Sequence, residues 1–437
     1  MEKLRQTLRV RKERAVLIGT ISKGAPRHDD LVELTALAES AGAVVVDRFQ
    51  QKLASINPAT YIGKGKAQML AQRVKRYKAE VVIFDNDLSP GQIRELEKLV
   101  GIKVLDRSEL ILDIFASRAK THQAKLQVEL AQLEYTYPRL TRMWLHLDTV
   151  AGAGGATVAG TVGGIGTRGP GEKQLEIDRR LVNKRITELK RELTLIDKRR
   201  LREIKGRKDL FKVCLVGYTN AGKSTLMNAL TSAGVHVEDR LFATLDTRTR
   251  RFKVESGIEV LLSDTVGFVR NLPHQLIASF KATLEETVNA DLLLHVVDVS
   301  SLEAPEQIES VNKVLGEIGC TGKPILILLN KTDIISGRDM VDMLATLYPE
   351  AVSISAKTGL GLEKLHEAIL AKYRGAEILV RVRTKQRNGR IQSFLRSHGT
   401  VLSEHYLDSS VVIEAKLGEN QVTELRRYGP DTLDLIS

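Results

Sequence analysis

With 437 residues and a formal charge of +12, the chain is too long for one ordinary domain and too basic to ignore anionic partners. Apolar residues at 43% and charged residues at 27% exclude wholesale disorder, while aromatics at 4% argue against a surface of base-stacking platforms. The two cysteines, Cys214 and Cys320, have no Cys or His at metal-ligand spacing, so neither a disulfide framework nor a zinc site follows and a reducing compartment is expected.

The first fourteen residues are charged and lack an apolar core, so no secretory signal is expected. No apolar run is long enough to span a bilayer. A cytoplasmic location is expected, compatible with peripheral membrane association.

Residues 1–108 alternate strand and helix. Short apolar runs at 15–18, 44–46, 81–84 and 104–105 are separated by helical patterns, which predicts a parallel sheet covered on both faces. Ser89-Pro90 supplies a helix start and Gly101 a stop. This N-terminal α/β domain is a candidate nucleotide- or RNA-contacting unit.

Residues 109–208 read as a helical coiled hairpin. Leu126, Leu130 and Leu133 share one face, and Val182, Ile186, Leu189, Leu193 and Ile196 form a heptad stripe. Between them the Gly-rich loop 151–171 breaks all periodicity and is expected at the hairpin tip, where it carries Arg168. From 172 to 208, fourteen Lys and Arg face seven Asp and Glu, so the basic helix is expected to meet a polyanion.

Residues 209–375 predict a P-loop domain with a parallel, doubly wound sheet, its strands at 213–216, 260–262, 292–297, 325–329 and 352–354. Residues 376–437 read as a small α+β C-terminal domain. There Arg381, Arg383, Lys385, Arg387, Arg390 and Arg396 come with no acidic residue between them, for which a solvated basic face is explanation enough.

The chemistry sits in the P-loop domain. Gly217-Tyr218-Thr219-Asn220-Ala221-Gly222-Lys223-Ser224 fits G-x-x-x-x-G-K-[ST] between a strand and a helix, the context that motif needs. Backbone N–H groups would wrap the phosphates, Lys223 would neutralise the β- and γ-phosphates, and the Ser224 hydroxyl would ligate Mg²⁺. Asp264-Thr265-Val266-Gly267 follows a strand, so Asp264 can hold the metal's shell and the Gly267 N–H can sense the γ-phosphate. Between them, Leu241-Phe242-Ala243-Thr244-Leu245-Asp246 marks a switch loop in which Thr244 would be the second metal ligand. Lys223, Thr244 and Gly267 are the catalytic candidates.

Asn330-Lys331-Thr332-Asp333 follows another strand. Its Asp333 can accept from guanine N1–H and the 2-amino group, a donor pair that adenine lacks. Ser355-Ala356-Lys357 can offer a backbone N–H to the guanine O6. The expectation is a GTPase with GTP and GDP as substrate and product and Mg²⁺ as cofactor. Phe268 stands where a glutamine would orient the attacking water, so unassisted turnover should be on the order of 10⁻⁴ to 10⁻² per second.

Together these residues resemble the HflX family, within the Obg–HflX group of translation-factor-related GTPases. In the first domain the resemblance rests on Tyr61-Ile62-Gly63-Lys64-Gly65-Lys66 and Asp106-Arg107-Ser108-Glu109-Leu110, and it continues through Lys125-Leu126-Gln127-Val128-Glu129. Its most specific pieces are Gly163-Gly164-Ile165-Gly166-Thr167-Arg168-Gly169-Pro170-Gly171-Glu172 and Asp264-Thr265-Val266-Gly267-Phe268-Val269-Arg270-Asn271-Leu272-Pro273. Lys173 and Thr247 depart from the usual Thr and Pro. The resemblance implies a factor that binds the large ribosomal subunit, reaches its RNA with the hairpin tip, and splits or rescues ribosomes under heat stress, acting as a monomer. It also implies ATP binding in the first domain, although Gly63-Lys64-Gly65-Lys66 lacks P-loop spacing and reads better as a basic RNA-contacting turn. An ATP-driven RNA remodeller, or a structural ribosome-binding protein, are the readings from other classes.

Overall fold

The computed structural model describes residues 12–22, 31–53, 55–152, 170–205, 210–231, 241–242, 248–255, 258–270, 281–334, 339–375 and 377–436. The bulk of the Gly-rich loop, Arg168 included, and Ala243, Thr244, Leu245 and Asp246 lie outside them.

The first unit is a four-stranded parallel sheet in the order β2-β1-β3-β4, built from β1 (Arg14–Ser22), β2 (Val44–Leu53), β3 (Val81–Phe84) and β4 (Lys103–Leu105). Alternation along β1 splits its side chains between two cores. Ala15 and Leu17 meet α1 (Val32–Ser40) and α4 (Arg107–Arg118), while Val16 and Ile18 meet α2 (Lys64–Tyr77) and α3 (Pro90–Val100). Helix α3 starts on a reciprocal cap: Ser89 Oγ accepts from Gln92 N at 3.3 Å and Gln92 Oε1 accepts from Ser89 N at 2.9 Å. It stops where Gly101 turns left-handed, φ +76°. Gly63 and Lys64, expected as a basic turn, open α2 instead.

The hairpin is formed by α5 (His122–Gly152) and α6 (Pro170–Lys205). Leu126, Leu130, Leu189 and Leu193 are its buried seam, with Leu133, Ile186 and Ile196 packed alongside. The expected boundary at 108/109 falls inside α4, whose Leu110, Ile111, Ile114 and Phe115 belong to the first unit's core. Part of the basic excess is answered across the seam, where Arg185 meets Glu129 at 2.7 Å and Lys190 meets Glu134 at 2.8 Å.

The third unit is a six-stranded sheet, β10-β9-β8-β5-β7-β6. Five strands are parallel: β5 (Phe211–Gly217), β7 (Ile258–Asp264), β8 (Leu292–Asp298), β9 (Ile325–Asn330) and β10 (Val352–Ser353). The five expected strands are thus parallel, and a sixth, β6 (Arg248–Glu255), not foreseen from the sequence, runs antiparallel to β7 at the edge. As an edge strand it carries Arg248, Arg250, Arg251 and Lys253, and so lacks the apolar run that marks the others. The described helices of this unit are α7 (Lys223–Thr231), α8 (Lys281–Val288), α9 (Ala304–Glu317), α10 (Asp339–Leu347) and α11 (Leu362–Arg374).

The last unit follows the order β11 (Glu377–Lys385), α12 (Gly389–His398), β12 (Thr400–Tyr406), β13 (Ser410–Gly418), α13 (Glu419–Arg427) and β14 (Thr432–Ile436). Its sheet, β12-β13-β11-β14, is antiparallel throughout, the split βαβ arrangement. Val380, Val382, Ile413 and Ala415 pack against Ile391, Phe394 and Leu425 of the two helices.

Candidate nucleotide site

The candidate residues gather at the carboxyl ends of β5, β7, β9 and β10, where open α/β sheets hold their ligands. The loop 217–222 must bend sharply from β5 into α7. Gly217 adopts φ +147°, and a Cβ there would lie 2.3 Å from Val296 O. Gly222 adopts φ +96°, and a Cβ on it would lie 2.3 Å from Asn330 Nδ2, so both glycines are dictated by close neighbours.

Lys223, the first residue of α7, is buried and donates to Gly217 O at 3.0 Å and Tyr218 O at 2.7 Å. Burial lowers its pKa to about 8, with Asp264 pulling the other way. The ammonium is thus held with little solvent, and incoming phosphates would raise its pKa again. Thr219 contributes a buried hydroxyl with no hydrogen-bond partner among the described residues, a group that a phosphate oxygen could satisfy.

Ser224 Oγ donates to Asp264 Oδ2 at 2.7 Å, and Asp264 is fully buried. Among the described residues no cluster of three His, Cys, Asp or Glu could hold a metal. An ion here would therefore take its oxygens from Ser224 and from phosphate, with Asp264 behind them. That donor set suits Mg²⁺, a hard cation that keeps several waters. Thr265 Oγ1 donates to Leu215 O at 2.7 Å and so anchors the end of β7 to β5.

Gly267 is brought against the loop: a Cβ on it would lie 2.8 Å from Thr219 Cα and 3.0 Å from Lys223 Nζ. The adjoining backbone pairs with the loop like a strand, through Thr219 N to Phe268 O at 2.8 Å and Phe268 N to Gly217 O at 3.1 Å. The Phe268 ring is buried with Tyr218, Cys214 and Leu293. An apolar ring in a closed cluster offers nothing to a water molecule.

At the base end, Asn330 acts as a strut. Its Nδ2 donates to Ala221 O at 2.7 Å and its Oδ1 accepts from Ala356 N at 2.9 Å, joining the phosphate loop to 355–357. Lys331 pairs with Asp298 at 2.6 Å, and Thr332 Oγ1 donates to Ile354 O at 3.0 Å. Ser355 Oγ donates to Asp333 Oδ1 at 2.7 Å, which orients an exposed carboxylate and leaves its other oxygen for a base edge. Lys357 is exposed beside it.

Two placements differ from expectation. Phe242, grouped with the nucleotide contacts, is buried in the first unit's core, edge-on to Phe115 at 4.5 Å between ring centres. Its ring anchors the start of the switch loop, so only its backbone remains available to a nucleotide. Tyr218 also faces away from the phosphates. Its hydroxyl donates to Glu33 at 2.8 Å and accepts from Arg270 N at 2.7 Å. Glu33 also meets Arg270 at 3.3 Å and pairs with Arg107, which in turn holds Asp85 at 2.5 Å. Burial would depress the Arg107 pKa, yet Glu33 and Asp85 outweigh it and raise it, while burial pushes Asp85 up.

This cluster was not legible in the sequence, because Glu33 and Tyr218 are 185 positions apart. Nor was His295, buried on the central strand opposite Val216 and held near pKa 4 by burial and by Lys223.

Comparison with known proteins places these motifs in context. Residues 28–116 match the family "GTP-binding GTPase N-terminal", 118–207 match "GTP-binding GTPase Middle Region", and 212–331 match "50S ribosome-binding GTPase". The chain is 42% identical over 420 residues to the GTPase HflX of Caldanaerobacter subterraneus subsp. tengcongensis, covering 95% of this chain and 94% of that one. It is 44% identical over 384 residues to the GTPase HflX of Escherichia coli strain K12, covering 87% and 88%. Among solved structures, a GTP-binding protein of Sulfolobus solfataricus in complex with GDP is similar at 26% identity, over 82% of this chain and 98% of that one, with a TM-score of 0.43.

Proposed function

The chain belongs to the HflX family of GTPases, and from that premise we propose that it is a Mg²⁺-dependent GTPase that binds the large ribosomal subunit. On this reading it serves as a GTP-switched splitting, rescue or biogenesis factor whose slow intrinsic hydrolysis is stimulated by the ribosome. The observation that supports the reading is the pairing of the phosphate-loop and base-end residues with a buried Phe268. Such a site can hold and identify GTP, but it has no group at that position to orient water.

Lys223 lies where it would offset charge on the β- and γ-phosphates, and the Gly267 N–H would follow the γ-phosphate. When bound, Mg²⁺ would supply charge neutralisation between the same phosphates. Ser224 and Thr244 would hold it, with Asp264 keeping the Ser224 hydroxyl in place. Asp333, fixed by Ser355, would accept from the guanine edge. Water activation then falls to a group brought by the ribosome. The hairpin α5–α6, with its basic second helix and Gly-rich tip, is the element suited to reach ribosomal RNA.

Single-turnover GTP hydrolysis with and without large subunits tests the reading. Stimulation of about tenfold or more is expected by comparison with partner-activated GTPases. Equal rates would overturn the partner-completed mechanism. Asp333→Asn should move preference from guanosine toward xanthosine nucleotides, read by competition binding; retained GTP preference would remove Asp333 from the base site.

A further inference from the structure

The C-terminal unit carries a charged surface that the nucleotide site does not use. Residues of β11 alternate strictly: Val380, Val382 and Thr384 are buried beneath the helices, while Arg381, Arg383 and Lys385 are exposed on the opposite side of the sheet. No helix of this unit covers that side; α12 and α13 both pack on the Val380 and Val382 face.

The cations on this side are not equivalent. Arg381 lies between Glu414 on β13 and Asp434 on β14, and its guanidinium bonds Glu414 at 2.7 Å. It is a cross-strand pair that stitches the sheet. Arg396, behind the sheet on α12, is similarly committed to Glu404 at 2.8 Å. Further along, Arg383 has only Ser410 Oγ, at 3.2 Å from its Nε. Lys385, Arg387 and Arg390 are exposed and, like Arg383, have no ion-pair partner among the described residues. Asp431, whose N–H donates to Arg383 O at 2.9 Å, and Asp408, in the turn beside Gln386, flank these cations without an ion pair to them among the described residues. That leaves a strip of four unpaired cations from the end of β11 through the turn to the start of α12.

Strand geometry sets the spacing of this strip. Residues two apart on a strand sit about 7 Å from each other, a separation that lets successive cations meet successive phosphates of one nucleic-acid strand. The sheet side bears no Phe, Tyr or Trp: its one ring is the imidazole of His405, opposite Val412 and two strands away from Arg383, while Tyr406 pairs with Val411, a core residue, and is engaged by Arg396 and Glu404. A single imidazole is no platform for successive splayed bases, so the surface suits a continuous phosphate backbone.

We propose that this strip is a docking surface for the sugar-phosphate backbone of double-helical RNA. The proposal deepens the ribosomal reading and rests on it for the source of the RNA. It gives the C-terminal unit an RNA anchor separate from the hairpin.

The test uses the full chain, with Arg383→Glu, Lys385→Glu and Arg387→Glu combined in one variant. Binding to an RNA duplex of about 20 base pairs, longer than one module spans, is titrated over a range of salt. The slope of log affinity against log salt should fall by about 3, and affinity near 150 mM salt should fall at least roughly tenfold. A variant with Arg383→Lys and Arg387→Lys should keep both values, because charge is the requirement. Basal GTP hydrolysis of every variant should match the parent, which shows that the fold is intact. Unchanged duplex affinity and slope would overturn the proposal. So would a loss confined to anionic phospholipid vesicles, or to single-stranded RNA of the same length. Parent protein that failed to sediment with ribosomes in any nucleotide state would sink the ribosomal reading, while the duplex titration would still decide this surface.

Discussion

Neighbouring residues of one loop, Tyr218 and Thr219, belong to two different regions. On the Thr219 side, the phosphate loop, Asp264, Gly267 and Asn330 form a site from short motifs at strand ends. On the Tyr218 side, the same loop is held by Glu33, Arg107, Asp85 and Arg270, a buried ionic cluster between the first unit and the GTPase unit. The first region keeps buried polar groups, the Thr219 hydroxyl among them, with hydrogen-bonding capacity left for a ligand. The second satisfies its charges internally. A buried cluster of this kind contributes little net stability while intact, yet is costly to break, so it specifies how two units meet.

The largest effect should come from breaking that cluster. Arg107→Ala leaves Glu33 and Asp85 buried without their cation and should cost about 3–5 kcal/mol of unfolding free energy, read from urea denaturation. A loss under about 1 kcal/mol would mean that water compensates the two carboxylates and that the interface is not closed. GDP affinity of the folded fraction should stay unchanged, since none of these groups faces the phosphates.

A milder cut falls on the shared loop itself. Tyr218→Phe keeps the ring in its apolar cluster and removes one hydrogen bond to a charged group and one from a backbone N–H. About 1.5–3 kcal/mol of stability should be lost. If nucleotide affinity fell by the same amount, the two sides of the loop would be coupled and not independent.

The smallest effect concerns only the ligand side. The Lys223 pKa is held near 8, and phosphates beside it would raise that value. Protein without nucleotide therefore loses the proton first as pH rises, whereas the complex retains it. GTP affinity should be flat below about pH 8 and fall by up to roughly tenfold per unit above it, measured by calorimetry in two buffers to count the proton taken up. Affinity that stayed level to about pH 9.5 would place Lys223 in a wetter setting than its burial indicates.

The legible parts share a property: their residues lie within one turn or one strand end of each other. Ser89, Pro90 and Gly101 announce a helix because capping is local, and the loop 217–224 announces phosphate binding because its geometry closes within eight residues. The strut role of Asn330 escaped, because it depends on Ala221 and Ala356 arriving from two other loops. Edge strand β6 escaped because its alternation is nearly all charge. The C-terminal arginines looked uniform in sequence, and only cross-strand register separates Arg381, opposite Glu414, from Arg383, opposite Val412.

The Asn330 strut has a consequence for how the protein measures its ligand. One amide spans the loop for the phosphate chain and the loop for the base, so the two cannot drift apart without giving up both of its hydrogen bonds. The site is therefore a gauge of fixed length. On the proposed reading a nucleotide would have to fit at its two ends simultaneously, and a base misread at Asp333 would be felt at Lys223 as a phosphate out of reach.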